Sequence, residues 1–194
     1  MRRRNQWPSD ISTHLHARDG VDLAAYDEMW YLDRHKPFTD RVYKKRVLRM
    51  SEGTVAIASD HAGPSMKEAL KVVLKERGFE VLDLGTHGED SVDYPDYGKA
   101  VGEAVTSGRA KLGVVICGTG IGISIAANRI PGVRAAICHD ATSARLAREH
   151  NDANVMALGA RLVGPQVALD CLDAFLETEF SGGERHLRRI GKLG

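Results

Sequence analysis

The sequence predicts an α/β fold in which a five-stranded parallel sheet lies between two layers of helices, a three-layer, doubly wound sandwich. Three observations carry this prediction. From Thr54 onward, short runs rich in valine, isoleucine and alanine alternate about five times with longer amphipathic stretches, the pattern of repeated strand-helix units. Helix openings and stops fall on proline and glycine, as at Pro64 and Gly78. With 194 residues, 43% of them hydrophobic and 27% charged, the chain is long enough to bury a substantial core as one globular domain.

The elements follow in order. TVAIAS at 54–59 reads as the first strand, and PSMKEALKVVLKER at 64–77 as an amphipathic helix ended by Gly78. FEVLDL at 79–84 is the second strand, leading into the polar loop GTHGEDSVDYPDY and then a helix, DYGKAVGEAVTSGR at 96–109. LGVVI at 112–116 and IGISIAANR at 121–129 form the third pair, VRAAIC at 133–138 and ATSARLAREH at 141–150 the fourth. NVMAL at 154–158 and GPQVALDCLDAFLETE at 164–179 complete five strand-helix units of a Rossmann-like sheet. Residues 1–50 differ in character, with a basic excess between MRRRNQWPSD and RVYKKRVLRM and little sustained periodicity. They are expected to be an N-terminal extension, disordered or not part of the native product, ahead of a domain at 51–194.

Composition excludes several function classes. A net charge of +1 leaves no global attraction for nucleic acid or an acidic membrane, and no apolar run approaches the ~20 residues of a membrane-spanning helix. The cysteines Cys117, Cys138 and Cys171 match no zinc spacing, and no apolar signal segment precedes them. A soluble, cytoplasmic protein with reduced thiols and no metal is expected.

In open parallel sheets, ligands bind beyond the carboxyl ends of the strands. The loops there hold Ser59, Asp60, His61 and Ala62 after the first strand, Asp93 and Tyr94 after the second, Cys117, Gly118, Thr119 and Gly120 after the third, and His139 and Asp140 after the fourth. The stretch CGTGIGISIAANR at 117–129 stands out, because a helix N-terminus stabilises a thiolate. Its glycines are spaced GxGxG, not the GxGxxG of a dinucleotide site. Such a loop can instead aim N–H groups at an oxygen that becomes negative during reaction. The plain alternative for Cys117 is a small buried hydrophobe, the reading that Cys138 and Cys171 invite.

SDHAG at 59–63, DYPDY at 93–97, CGTGIGISIAANR at 117–129, REHNDANV at 148–155 and GGERHLRRI at 182–190 together resemble the ribose/galactose isomerase family, in particular its type B ribose-5-phosphate isomerases. The resemblance covers about residues 53–190. It implies that Cys117 is the base moving a proton between the two carbons beside the carbonyl, with Thr119 and the backbone of Gly118, Gly120, Ile121 and Gly122 holding the enediolate oxygen. It implies that His150, with Asp60, opens the furanose ring and that Asn151 binds substrate hydroxyls. His61 and Tyr94 would line the sugar site, and Arg185, Arg189 and Arg161 would grip the phosphate. No cofactor is implied, and the partners implied are a sugar phosphate and a second copy, in a homodimer or a tetramer with sites shared between subunits. One branch of the family has glutamate at the position of Ile121 and lacks the cysteine; this chain is of the thiol type. Met50 begins a stretch, SEGTVAIASDHAG, typical of family starts.

The chemistry agrees. Aldose-ketose isomerisation needs a ring-opening acid or base, a base for a C–H bond and donors for a developing oxyanion. Arginine's planar fork suits phosphate, and Arg185 and Arg189, four apart, share a helix face. Plain alternatives stand beside these roles: His150 as a helix cap, His61 as a surface histidine, the arginines as a solvated basic tail. A hexose 6-phosphate of galactose or allose is the alternative substrate. A nucleotide-binding module and a catalytically silent homologue are the alternatives of other classes.

Overall fold

The computed structural model describes residues 53–88 and 90–193. The expected extension at 1–50 lies outside the described residues. Among the described residues there are five strands and six helices. The strands are β1 (Thr54–Ser59), β2 (Glu80–Asp83), β3 (Leu112–Cys117), β4 (Ala135–Ile137) and β5 (Val155–Gly159). The helices are α1 (Pro64–Glu76), α2 (Tyr94–Thr106), α3 (Ile121–Ala127), α4 (Ala141–Asn151), α5 (Pro165–Glu177) and α6 (Glu184–Ile190). All pairings are parallel, in the order β2-β1-β3-β5-β4. The predicted three-layer α/β architecture is the observed one.

Side chains alternate across the sheet with period two. Val55, Ile57, Val114, Ile116, Met156 and Leu158 face the layer of α1, α4 and α5, where they meet Leu70, Leu74, Leu172 and Phe175. Ala56, Ala58, Val115, Cys117, Val155 and Ala157 face α2 and α3, against Val101, Ala104, Ile123 and Ala127. The second face is built from smaller side chains, so its helices approach more closely. At Gly98 of α2, a Cβ would stand 2.7 Å from the carbonyl oxygen of Ile123 in α3. That close contact seats α3 directly beyond the end of β3.

Two differences from the sequence reading have local causes. The second helix begins at Tyr94, not Asp96, because Pro95 lies in its first turn, where proline's absent N–H is not missed. The third strand extends one residue further, so Cys117 closes β3 instead of opening the loop.

At the end of β2, Asp83 joins two lysines of α1, with Lys67 Nζ 2.7 Å from Oδ1 and Lys71 Nζ 2.6 Å from Oδ2. Burial opposes ionisation of Asp83 and is the largest single influence. Hydrogen bonds from Lys67, Lys71 and the Gly85 N–H together outweigh it and hold the carboxyl at about 2. A carboxyl depressed by folding stabilises the native state above its unfolded pKa and loses that contribution as pH falls through the folded one. Acid titration is therefore expected to remove roughly 1 kcal/mol of stability between about pH 4 and pH 2, after allowance for solvent screening. Asp83→Asn should lack that portion of the acid transition in denaturant melts; an unchanged pH profile would contradict the assignment.

Candidate active site

From β1 the chain crosses to β2 on one side, while β3 begins the other half of the sheet, so the loops after β1 and β3 diverge. Such a switch point opens a crevice at the carboxyl edge. Ser59 is paired with Ile116, and Cys117 with Gly159, which sets the turns after β1, β3 and β5 side by side. The Asp60 N–H donates to the Ile116 carbonyl at 3.0 Å, and the Asp60 carboxylate accepts from the Ala62 N–H at 2.8 Å. Asp60 is only 5% exposed. On the other side, the Ala160 N–H donates to the Cys117 carbonyl (2.8 Å) and the Arg161 N–H to the Gly118 carbonyl (3.0 Å).

The glycine loop is built around the sulfur. Gly120, at φ +79, turns the chain left-handed into α3, a conformation that a side chain would oppose. Its N–H then points back at Cys117 Sγ, 3.1 Å away. The Ile121 N–H donates to Thr119 Oγ1 at 3.2 Å, which leaves the threonine's own O–H to act as a donor. The Tyr94 ring lies across the first turn of α3, so that a Cβ on Gly122 would stand 2.5 Å from its Cζ. Ile121 is half exposed beside it. Arg161 places its guanidinium over Gly118, 3.6 Å from where a Cβ there would be. His61 Nδ1 accepts from the Val92 N–H at 3.3 Å, which puts the proton of a neutral ring on Nε2.

His150 and Asn151 stand elsewhere. α4 starts at the carboxyl edge, where Asp140 caps it through Ser143, and runs back against the strands. Its last turn reaches the opposite edge, where Arg134, just before β4, donates through Nε to the carbonyls of Asn151 (3.0 Å) and Asp152 (2.9 Å). The sheet separates this corner from Cys117 by the length of β3 from Gly113 to Cys117, about 13 Å at ~3.3 Å per residue. α6 joins His150 there. The Ser181 N–H bonds to the Glu149 carbonyl at 3.1 Å, and the His186 ring stacks on His150 with centroids 4.5 Å apart and planes 7° off parallel. Partial burial, then His150, Arg185 and Arg189, keep His186 below the usual histidine range, while Glu149 works against them. Arg185 and Arg189 are exposed.

The predicted site residues thus fall into two groups that one chain does not bring together. Asp60, His61, Tyr94, Cys117, Gly118, Thr119, Gly120, Ile121, Gly122 and Arg161 gather at the carboxyl edge. His150, Asn151, Arg185 and Arg189 form a basic corner at the amino edge. Sequence reasoning missed His186, whose available signal was its place beside Arg185. Cys138 and Cys171 lie fully buried on the other face of the sheet, and burial pushes their thiols up to about 12 and about 11. All three cysteines are free. Among the described residues, no three histidine, cysteine or acidic side chains converge as a metal site, and no helix is long and apolar enough to cross a membrane.

Comparison with known proteins fits this geometry. The family model for Ribose/Galactose Isomerase matches residues 55–193. Ribose-5-phosphate isomerase B of Escherichia coli (strain K12) is 46% identical over 136 residues, 70% of this chain and 91% of that protein. Among solved structures, ribose-5-phosphate isomerase B of Clostridium thermocellum is 57% identical with a TM-score of 0.71, over 73% of this chain and 95% of that one. A ribose 5-phosphate isomerase of Thermotoga maritima is 52% identical with a TM-score of 0.71, over 73% and 97%. With nearly the whole described fold matched at this identity, the chain belongs to the ribose/galactose isomerase family, beside the type B ribose-5-phosphate isomerases, and is an isomerase.

Proposed function

We propose that the chain interconverts ribose 5-phosphate and ribulose 5-phosphate through a cis-enediolate, within pentose phosphate metabolism, with Cys117 as the base. The observation that carries this reading is the Gly120 N–H held 3.1 Å from Cys117 Sγ in a crevice shared with Asp60 and Arg161. A backbone donor fixed on the sulfur stabilises negative charge there. In the reaction, His150 and Asp60 open the furanose, and the thiolate takes the C2 proton of the open aldose, which leaves the enediolate charge on O1. The hydroxyl proton passes from O2 to O1 and the thiol returns its proton to C1, which gives the ketose and restores the thiolate. Because the Gly120 N–H serves the sulfur, the enediolate oxygen falls to the Thr119 hydroxyl and the neighbouring loop amides.

The two groups of residues become one site in a homodimer. The basic corner of one copy, with His150, Asn151, Arg185 and Arg189, closes over the Cys117 edge of the other, where Arg161 awaits the phosphate and His61 and Tyr94 the sugar. A phosphate of about two negative charges then meets three arginines. The three free cysteines suit a reducing, cytoplasmic setting. Residues 1–50 are read as an extension outside the catalytic domain, a reading supported by a family match that begins at residue 55. The test is formation of ribulose 5-phosphate from ribose 5-phosphate by the purified chain without added metal, followed by absorbance of the ketose. Conversion of galactose 6-phosphate or allose 6-phosphate in its place would move the assignment to the hexose branch.

A further inference from the structure

We propose that Lys67 is a positioning residue for the ring-opening step, acting through Thr86 on the turn that carries Asp60 and His61; this rests on the isomerase reading above. Lys67 projects from α1 and is fully buried, the largest such side chain among the described residues. Its ammonium donates to Asp83 Oδ1 at 2.7 Å and to the Thr86 carbonyl at 2.8 Å. Stability alone is a weak reason for a buried cation, since desolvation offsets most of what a single partner returns. That partner is, moreover, already bound by Lys71 through Oδ2. What Lys67 adds is its grip on Thr86.

The segment it holds is a strap across the active-site turn. The Ser59 N–H donates to the Gly85 carbonyl and the Thr86 N–H to the Ser59 carbonyl, both at 2.7 Å. Further along the same loop, the Val92 N–H donates to His61 Nδ1 at 3.3 Å. Asp60 therefore lies between two points at which one loop grips its turn. Lys67 pins the near end of that loop from inside the protein. Without the ammonium the Thr86 carbonyl loses its donor, the strap loosens on Ser59, and the turn that aims the Asp60 carboxylate shifts with it. A displacement of about 1 Å in a reacting group can cost roughly 100-fold in rate.

The test uses two reactions of the same enzyme. Ribose 5-phosphate must be ring-opened before it isomerises. Ribulose 5-phosphate is acyclic, because its 5-oxygen carries the phosphate, so exchange of its C1 proton with D2O needs only enediolate formation. Lys67→Met is expected to slow isomerisation of ribose 5-phosphate by about 10- to 100-fold in kcat, with KM moved far less. The same variant should keep C1 exchange of ribulose 5-phosphate within about threefold of the parent. Lys71→Met, which removes an Asp83 partner without touching the strap, should match the parent in both assays. If Lys67→Met fails to fold because Asp83 Oδ1 has lost its ammonium partner, Lys67→Met/Asp83→Asn also removes the carboxylate charge and still lacks the donor to Thr86. Parental rates in a folded Lys67 variant, or an equal fall in both reactions, or failure of both variants to fold would overturn the proposal. A parent chain inactive on both pentose phosphates would instead refute the pentose phosphate reading on which the proposal rests.

Discussion

Mixing Cys117→Ala chains with His150→Ala chains, each nearly inactive alone, is expected to restore about a quarter of the parent activity after subunit exchange. The expectation follows from the topology. Cys117 ends a strand and His150 ends a helix that runs back against the strands, so they lie at opposite edges of one sheet. In a two-fold dimer, each crevice would take Cys117 from one chain and His150 from the other. Homodimers of Cys117→Ala would lack the proposed base at both sites, and homodimers of His150→Ala the proposed ring-opening group at both. A heterodimer places both lesions at one site and leaves the other intact. Random pairing makes half of the dimers heterodimers, each with one of two sites working, hence the quarter. Co-refolded mixtures assayed against unmixed controls measure it directly. No recovery, in a mixture shown to exchange subunits, would mean that each site is complete within a single chain and that the two groups meet by some other arrangement.

The same topology explains what could be read from the residues beforehand. Five strands were legible because each is a short apolar run flanked by glycine, proline or polar turns, and the observed boundaries differ by a residue or two. The order β2-β1-β3-β5-β4 was not legible, since the step from β3 to β4 passes over the place that β5 later fills. No local pattern of the chain encodes that step. That Cys117, Thr119 and the glycines gather in one turn at the carboxyl edge was legible, because left-handed backbone and close approach leave few residue choices. The division of the site was within reach but not drawn: residues that end a strand and residues that end a following helix belong to opposite sheet edges. His186 had only its place beside Arg185 as a signal, because the stack on His150 that distinguishes it from the exposed basic residues around it is tertiary.

Replacing Cys117 by alanine should lower kcat by about 10²- to 10⁴-fold, the usual worth of a positioned proton-transfer group. Binding of the sugar phosphate should change little, because arginines, not the sulfur, carry that affinity in the proposed site. The fold should tolerate the change. Cys117 is 4% exposed among Ala56, Ala58 and Ile123, and losing one sulfur atom there leaves a small cavity costing roughly 1 kcal/mol. Turnover alone does not identify a base, so the decisive measurement is C1 proton exchange of ribulose 5-phosphate in D2O. Cys117→Ala should lose exchange and isomerisation together, since both need proton abstraction beside the carbonyl. His150→Ala should lose isomerisation of ribose 5-phosphate yet keep exchange, since the acyclic ketose has no ring to open. Cys117→Ser should resemble alanine, because a hydroxyl holds its proton far more tightly than a thiol while taking the same hydrogen bond from Gly120. If Cys117→Ala exchanged the C1 proton at the parental rate, the base would have to be sought among Asp60 and the other groups of the crevice, and the Gly120 N–H at 3.1 Å from sulfur would be a packing contact only.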